Sequence, residues 1–178
     1  MSFDPIAKAR SRLWAVPKAS FKHVPLWSLA IGTFGFIGFS PVASGTVGSA
    51  AGALLYYFIP LLQNNWALAA FSFLIFVAGT VATDVIELKL GEHDPGIVVI
   101  DEVLGQWVSL FSPIYTGDPV FIITAFLFFR IFDILKLYPA SVFEKRFGGT
   151  SVMLDDAVAG VYANICAHAV TWLIKSYL

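Results

Sequence analysis

The chain has 178 residues, of which 58% are hydrophobic and 13% are charged, whereas soluble domains carry about 25% charged residues. This composition excludes an ordinary soluble domain and favours one domain embedded in a lipid bilayer. The net charge of −1 gives no electrostatic support for a nucleic-acid partner, and the single cysteine, Cys166, excludes an internal disulfide.

The N-terminal residues 1–25 are polar and contain five Lys or Arg, so we interpret them as a basic cytoplasmic or interfacial segment. Residues 26–178 are predicted to form a single membrane-embedded domain. A signal peptide is an alternative, since Lys18 and Lys22 precede an apolar stretch and Val42-Ala43-Ser44 loosely resembles a cleavage site. Cleavage there would still leave several spanning segments.

The apolar stretch that follows the basic segment is too long for one ordinary span. It is interrupted at Ser40–Thr46, where Pro41 and Gly45 disfavour a continuous helix. We therefore predict a short segment at 26–38, a Gly/Ser/Pro loop at 39–45, and a first full span after that loop.

The later helices have start and stop signals. Asp94 and Pro95 are typical of an N-cap and a first helical position, Pro139 ends a helix, and Ser151 is a further candidate cap. The sequence therefore predicts an all-α fold, a polytopic membrane helical bundle of about five transmembrane helices. The predicted spans are 46–62, 66–83, about 95–112, about 119–138, and 152–177.

Basic residues are concentrated in loops on one side of the predicted bundle. The N-terminal segment, loop 84–95 and loop 138–151 contain Lys or Arg, whereas loops 63–65 and 112–118 contain none. The positive-inside rule therefore places the N-terminus and the charged loops in the cytoplasm and the C-terminus outside. Lys175, near the opposite end, is a mild counterexample.

Acidic residues lie inside three of the predicted spans, at similar depths from the cytoplasmic ends. Counting 1.5 Å per residue places Asp101 about 10 Å, Asp133 about 9 Å and Asp155-Asp156 about 6–8 Å from these ends. Carboxylates inside a membrane are costly and usually line a cavity or pair with another group, and oxygen-rich clusters suit Mg²⁺. We therefore predict a metal site whose ligands come from Asp101, Glu102, Asp133, Asp155 and Asp156.

Groups that bind anions accompany these acids. Arg and Lys donate to phosphate oxygens, and the free amides at a helix N-terminus attract anions. A phosphoryl-transfer site needs both metal-holding carboxylates and such donors. The predicted phosphate contacts are Arg130, Lys136, Ser40, Ser44 and Thr46.

Each assignment has a structural alternative. Asp101-Glu102 would otherwise make a polar contact between helices, Asp133 would form an ion pair within its helix, and Asp155-Asp156 would complement a helix dipole. The Gly/Ser/Pro loop would be a packing turn of small residues. His93 is a candidate acid or base, although a lone histidine in a loop is usually only solvated.

Four stretches of the chain, in this order, resemble the phosphatidylglycerophosphatase A family. The resemblance implies a bacterial inner-membrane, multi-pass enzyme that uses Mg²⁺ to convert phosphatidylglycerophosphate into phosphatidylglycerol. By the family motif, its matched polar positions are Asp94, Asp101, Glu102, Arg130, Asp133, Lys136, Asp155 and Asp156. With this resemblance we add Asp94 to the predicted metal ligands, and we predict Asp101, Glu102, Asp133 and Lys136 to be catalytic. The matching stretches are Gly38–Gly48 (GFSPVASGTVG), His93–Gly105 (HDPGIVVIDEVLG), Phe129–Pro139 (FRIFDILKLYP) and Met153–Gly160 (MLDDAVAG).

The partners expected for such an enzyme are a phospholipid substrate and membrane lipid, with the active site facing the cytoplasm. The chief rival is a small ion-coupled transporter, because intramembrane acids and bases also mark ion pathways. A transporter should place its binding groups near the midplane between inverted repeats, whereas these acids crowd one face and no repeat is present. A noncatalytic subunit would explain the spans and leave the acids unexplained.

Overall fold

The structure, a computed structural model, describes residues 21–138, 140 and 148–177. Residues 1–20, which are most of the predicted basic segment, therefore lie outside the described residues. Lys145 and Arg146, which contribute to the predicted charge asymmetry of the loops, also lie outside them.

The described residues form six α-helices and no strand, which confirms the all-α prediction. Three short 3-10 helices connect or precede them, at Phe21–His23, Ile37–Phe39 and Pro60–Gln63. The α-helices are α1 (Leu26–Gly32), α2 (Ser44–Phe58), α3 (Asn65–Leu90), α4 (Ile100–Ser109), α5 (Pro119–Leu135) and α6 (Gly149–Tyr177).

Two of the described helices, α3 with 26 residues and α6 with 29, are long and apolar enough to cross a membrane. Both expose large apolar side chains, such as Phe73 and Leu74 on α3 and Ile165 and Trp172 on α6. Exposed apolar surface of this extent suits lipid contact rather than water. These features indicate a membrane protein, and the five-span bundle is supported for these two helices only.

The third predicted span differs most from the structure. The helix expected over about 95–112 is reduced to the ten residues of α4, about 15 Å long, which is half the thickness of a hydrocarbon core. Asp94 is not its N-cap, because this residue has a left-handed φ of 48° and the helix starts six residues later. The backbone N–H of Val99 instead donates to the Gly32 carbonyl at the end of α1, 2.9 Å away.

Helix α4 is the central element of the bundle. Nine of its ten residues are buried, and it packs against α2, α3, α5 and α6. Its close approach to α6 depends on Gly105 and Gly160, since a methyl group on either glycine would collide with the backbone of the other helix. Small residues at such crossings let helix backbones approach closely.

Other predicted boundaries are wrong by several residues. Helix α3 continues into the expected polar loop as far as Leu90. Glu87, near its end, is buried and accepts hydrogen bonds from the backbone amides of Asp94 and Gly148. Helix α6 begins at Gly149, so Ser151 lies inside the helix rather than at its cap. Helix α5 ends at Leu135, where Lys136 adopts a left-handed conformation with φ 48°.

Helix direction brings one set of termini to the same end of the bundle. Helices α2, α4 and α6 begin there, and α3 and α5 end there, as Gly45–Glu102, Glu87–Gly148 and Lys136–Asp155 contacts require. We call this end the polar end, and all the predicted site residues that carry charge lie at or near it.

Candidate active site

Three buried carboxylates form the core of the polar end. Asp101 and Glu102 lie in the first turn of α4, and Asp156 lies in the second turn of α6. One oxygen from each lies within 4.8 Å of the others. They meet because Glu102 and Asp156 each lie about one turn before the glycines, Gly105 and Gly160, at which α4 and α6 cross.

The carboxylate oxygens of this cluster are suitable ligands for a divalent cation. Asp101 Oδ1 and Asp156 Oδ2 are buried and have no hydrogen-bond partner among the described residues. Buried polar atoms without a partner cost free energy, and several carboxylates brought together out of water repel one another. A hard cation removes both costs, so the cluster of Asp101, Glu102 and Asp156 can bind a metal ion.

Arg130 lies beside the cluster at the interface of α5 and α2. Its Nη1 atom is 2.9 Å from Asp133 Oδ2 and donates to Ser49 Oγ at 3.0 Å. Ser49 Oγ in turn donates to the Gly45 carbonyl at 2.8 Å. The predicted ion pair within α5 is therefore present between Arg130 and Asp133, and it holds the guanidinium next to the first turn of α2.

Gly45 allows the first turn of α2 to contact both the acids and Arg130. A methyl group at this position would collide with the Glu102 carboxylate and would lie 3.4 Å from Arg130 Nη2. Ala43, two residues before Gly45, has a left-handed φ of 46°, which is uncommon for a residue other than glycine. Helix α2 also has no side-chain cap, so its first amides face the polar end without such a partner.

Lys136 pairs with α6 rather than with its own helix. Its ammonium group forms an ion pair with Asp155 Oδ2, and its left-handed backbone turns the chain out of α5 at this point. Together with Asp94, Asp101 and His93 this pair lines a small cleft with space of about 10 Å³. That space is about the size of one water molecule.

The predicted hydroxyl contacts have partners within the chain. Ser44 Oγ donates to the Gly96 carbonyl at 2.7 Å, which ties α2 to the segment before α4. Ser40 Oγ donates to the Val42 carbonyl at 2.9 Å, within the Gly/Ser/Pro loop. Thr46 is half-buried in the first turn of α2. These hydrogen bonds are consistent with the packing turn that the sequence offered as an alternative, and the phosphate contacts of Ser40, Ser44 and Thr46 stay predictions.

Glu87 is a buried residue of the polar end that the sequence analysis did not identify. Its Oε1 atom lies 2.7 Å from His93 Nδ1 and accepts from the Asp94 amide at 2.8 Å, while Oε2 accepts from the Gly148 amide at 3.0 Å. It therefore fixes the segment that carries His93 and Asp94 against the start of α6. An acid between the apolar residues Ile86 and Leu88 could have indicated a buried carboxylate. The sequence analysis assigned this stretch to a polar loop, in which an acid is expected to be solvated.

Sequence comparisons give the site its chemical context. A family model described as Phosphatidylglycerophosphatase A matches residues 30–171 of the chain. The chain is 33% identical over 148 residues to the phosphatidylglycerophosphatase A of Escherichia coli, which covers 82% of this chain and 84% of that protein. It is 34% identical over 152 residues to the phosphatidylglycerophosphatase A of Haemophilus influenzae, which covers 84% of this chain and 91% of that protein.

A further relative has a different name. The chain is 39% identical over 149 residues to a Bacteroides thetaiotaomicron protein that is provisionally named a phosphatidylinositol-3-phosphatase, which covers 81% of this chain and 93% of that protein. No solved structure matches the chain significantly. All three relatives are named as phosphatases of phosphatidyl compounds.

Proposed function

Because the chain belongs to the phosphatidylglycerophosphatase A family, we propose that it hydrolyses phosphatidylglycerophosphate to phosphatidylglycerol and phosphate in phospholipid biosynthesis. Membership of this family confirms the resemblance read from the sequence and disfavours the transporter and the noncatalytic subunit. The observation that supports the proposed chemistry most strongly is the buried cluster of Asp101, Glu102 and Asp156 beside Arg130.

We propose Mg²⁺ as the ion, with Asp101, Glu102 and Asp156 as its protein ligands. Oxygen-only ligands suit this hard cation, and Mg²⁺ is usually bound through a few carboxylates together with substrate phosphate. When bound, the ion supplies Lewis-acid polarisation of the phosphoryl group. Of the remaining acids of the predicted ligand set, Asp133 is paired with Arg130 and Asp155 with Lys136, and Asp94 lines the adjacent cleft.

The cations of the polar end would bind the phosphate. Arg130 is oriented by Asp133 and Ser49, so its guanidinium is held in place before the substrate arrives. Charge held in place in a site that excludes water stabilises the charge that develops in a phosphoryl transition state. The uncapped first amides of α2, including the region of Thr46, lie next to Arg130 and offer further donors to the same phosphate.

Lys136 and its partner Asp155 form the second cationic position. In the cleft with Asp94 and Asp101, the ammonium group can neutralise charge on the phosphate of the substrate or of the product. We propose that the polar end faces the cytoplasm of a bacterial inner membrane, where a lipid head group would enter it from the adjacent leaflet.

The experiment that tests the proposed function measures phosphate release by the purified protein from three phosphomonoester lipids. These are phosphatidylglycerophosphate, phosphatidylinositol 3-phosphate and phosphatidic acid, each presented in detergent micelles with Mg²⁺. We expect the highest kcat/KM with phosphatidylglycerophosphate. A preference for the inositol lipid would instead assign to this chain the substrate in the name of its Bacteroides relative, and no release from any of them would refute a lipid phosphatase.

A further inference from the structure

An apolar groove lies along the outside of the bundle between α2 and α5. Its walls are formed by two helix faces, and its volume is about 340 Å³. The residues that line it are Ala50, Ala53, Leu54 and Tyr57 on α2 and Pro119, Ile122, Ile123 and Phe126 on α5.

The groove starts directly beside the proposed phosphate contacts. Arg130 on α5 donates to Ser49 on α2, and this hydrogen bond joins the two helices at the polar end. Phe126 precedes Arg130 by one helical turn, and Ala50 follows Ser49. From there both walls extend for seven residues, about 10 Å, toward the opposite end of the bundle.

The lining of the groove matches a hydrocarbon chain. All the side chains that form it are apolar except for the Tyr57 hydroxyl, and small alanines form its wall on α2 near the polar end. A lipid phosphomonoester has the same order of parts, an anionic head followed by acyl chains. The polar end and the groove are thus complementary to the two parts of one molecule.

We infer that this groove binds an acyl chain of the phospholipid substrate while its phosphate lies at Arg130, a proposal that rests on the proposed function. Acyl chains of the bilayer are as apolar as the groove, so entry into it gains packing rather than a large hydrophobic free energy. The consequence for catalysis is positioning, because a chain fixed one turn below Arg130 aligns the head group with the carboxylate cluster.

The first test fills the groove and compares two substrates of the same head group. Ala50→Phe and Ile123→Trp each obstruct the groove from one wall, and Ala70→Phe, on the exposed face of α3, is the matched control. With dioleoyl phosphatidylglycerophosphate we expect both groove variants to lose about tenfold in kcat/KM. With the water-soluble dibutyryl analogue we expect wild-type values, because its short chains do not occupy the groove.

The outcomes separate the groove from the proposed function. Equal losses on both substrates, or no loss on the dioleoyl substrate, would overturn the groove as the acyl site. If the wild-type protein releases no phosphate from either substrate, the proposed function fails, and the groove is then tested by binding alone.

That binding test uses photo-crosslinking in lipid nanodiscs. The probes are phosphatidylglycerophosphate and phosphatidylcholine, each with a diazirine on one acyl chain. We expect the anionic probe to label peptides 50–57 and 119–126 preferentially, and unlabelled phosphatidylglycerophosphate to compete with it. Equal labelling by phosphatidylcholine would show that the groove takes bulk lipid, which would contradict its assignment to the substrate.

Discussion

At the scale of residues, the proposed chemistry depends on three carboxylates that share one buried space. Asp101, Glu102 and Asp156 are each at most 5% exposed, and their nearest oxygens lie within 4.8 Å of one another. Such a group of acids opposes folding unless protons or a cation neutralise it. Their proximity is therefore better explained by a bound ion than by a contribution to stability.

This explanation predicts that Mg²⁺ stabilises the folded protein through Asp156. A ligand that binds only the folded state adds about 2.7 kcal/mol at a concentration of roughly 100 times its Kd. We expect Mg²⁺ to raise the Tm of the wild type in detergent and to have a much smaller effect on Asp156→Asn. The control Glu92→Gln removes an exposed acid near the polar end and should keep the wild-type response. An unchanged response in Asp156→Asn would contradict the assignment of this ligand.

At the scale of elements, the crossing of α4 and α6 determines where those acids meet. The two helices approach at Gly105 and Gly160, one turn beyond the carboxylates. Glu87 then joins the end of α3 to the start of α6 through the Gly148 amide. Among the described residues, the positions of the three acids are thus largely a consequence of helix packing.

The crossing predicts an unequal effect of two Gly→Ala substitutions. A Cβ at Gly105 would collide with the Phe129 ring and would lie only 2.6 Å from the Asp156 carbonyl oxygen. We therefore expect Gly105→Ala to cost about 1–3 kcal/mol in stability and to lower activity. A Cβ at Gly52 would meet Val103 at 3.4 Å, an ordinary contact, so Gly52→Ala should be neutral or slightly stabilising. Thermal unfolding in detergent measures both, and equal Tm values would refute the close crossing.

The position of the acids at one end of the bundle could be predicted from the sequence. The prediction needed only the number of residues between each acid and the nearer end of its helix. The argument for Asp101 nevertheless used a wrong helix start, since the chain from Pro95 to Val99 packs as turns against α1 before α4 begins. Burial of Ile97 and Val98 decides this conformation, and the local Asp-Pro signal does not include that tertiary contact.

The pairing of charges could not be predicted from spacing alone. Arg130, Asp133 and Lys136 are three apart, which favours contacts within one helix. Lys136 instead pairs with Asp155, because α5 ends before it and its left-handed backbone turns it toward α6. Glu87 was missed for a related reason. Its partners His93 and Asp94 lie just beyond the end of α3, and its partner Gly148 lies 61 residues later in the chain.

At the scale of the whole molecule, the described residues form a bundle whose polar end carries the proposed site and whose exterior exposes many large apolar side chains. Asp118 at the opposite end caps α5 and pairs with Lys175, and this hydrogen bond with Lys175 lowers the pKa of the Asp118 carboxyl. Lys175 is thus engaged by an acid at that end, which weakens it as a counterexample to the predicted orientation.

The predicted orientation can be tested by cysteine labelling in a Cys166→Ala background. Glu92→Cys lies in the exposed segment at the polar end, and Ile114→Cys lies in the exposed segment at the other end. In intact spheroplasts, a membrane-impermeant maleimide should label position 114 and should label position 92 only after lysis. The reverse pattern would place the active site outside the cytoplasm.

The central claim is that the buried carboxylate cluster holds the metal used for removal of a lipid phosphate. It is tested most directly by phosphate release from phosphatidylglycerophosphate by the purified wild type and by Glu102→Gln, each with Mg²⁺ and with a chelator. We predict that release by the wild type requires Mg²⁺ and that folded Glu102→Gln loses about 10²–10³-fold in kcat at saturating Mg²⁺. Metal-independent release by the wild type, or a near-wild-type rate in Glu102→Gln, would contradict the account.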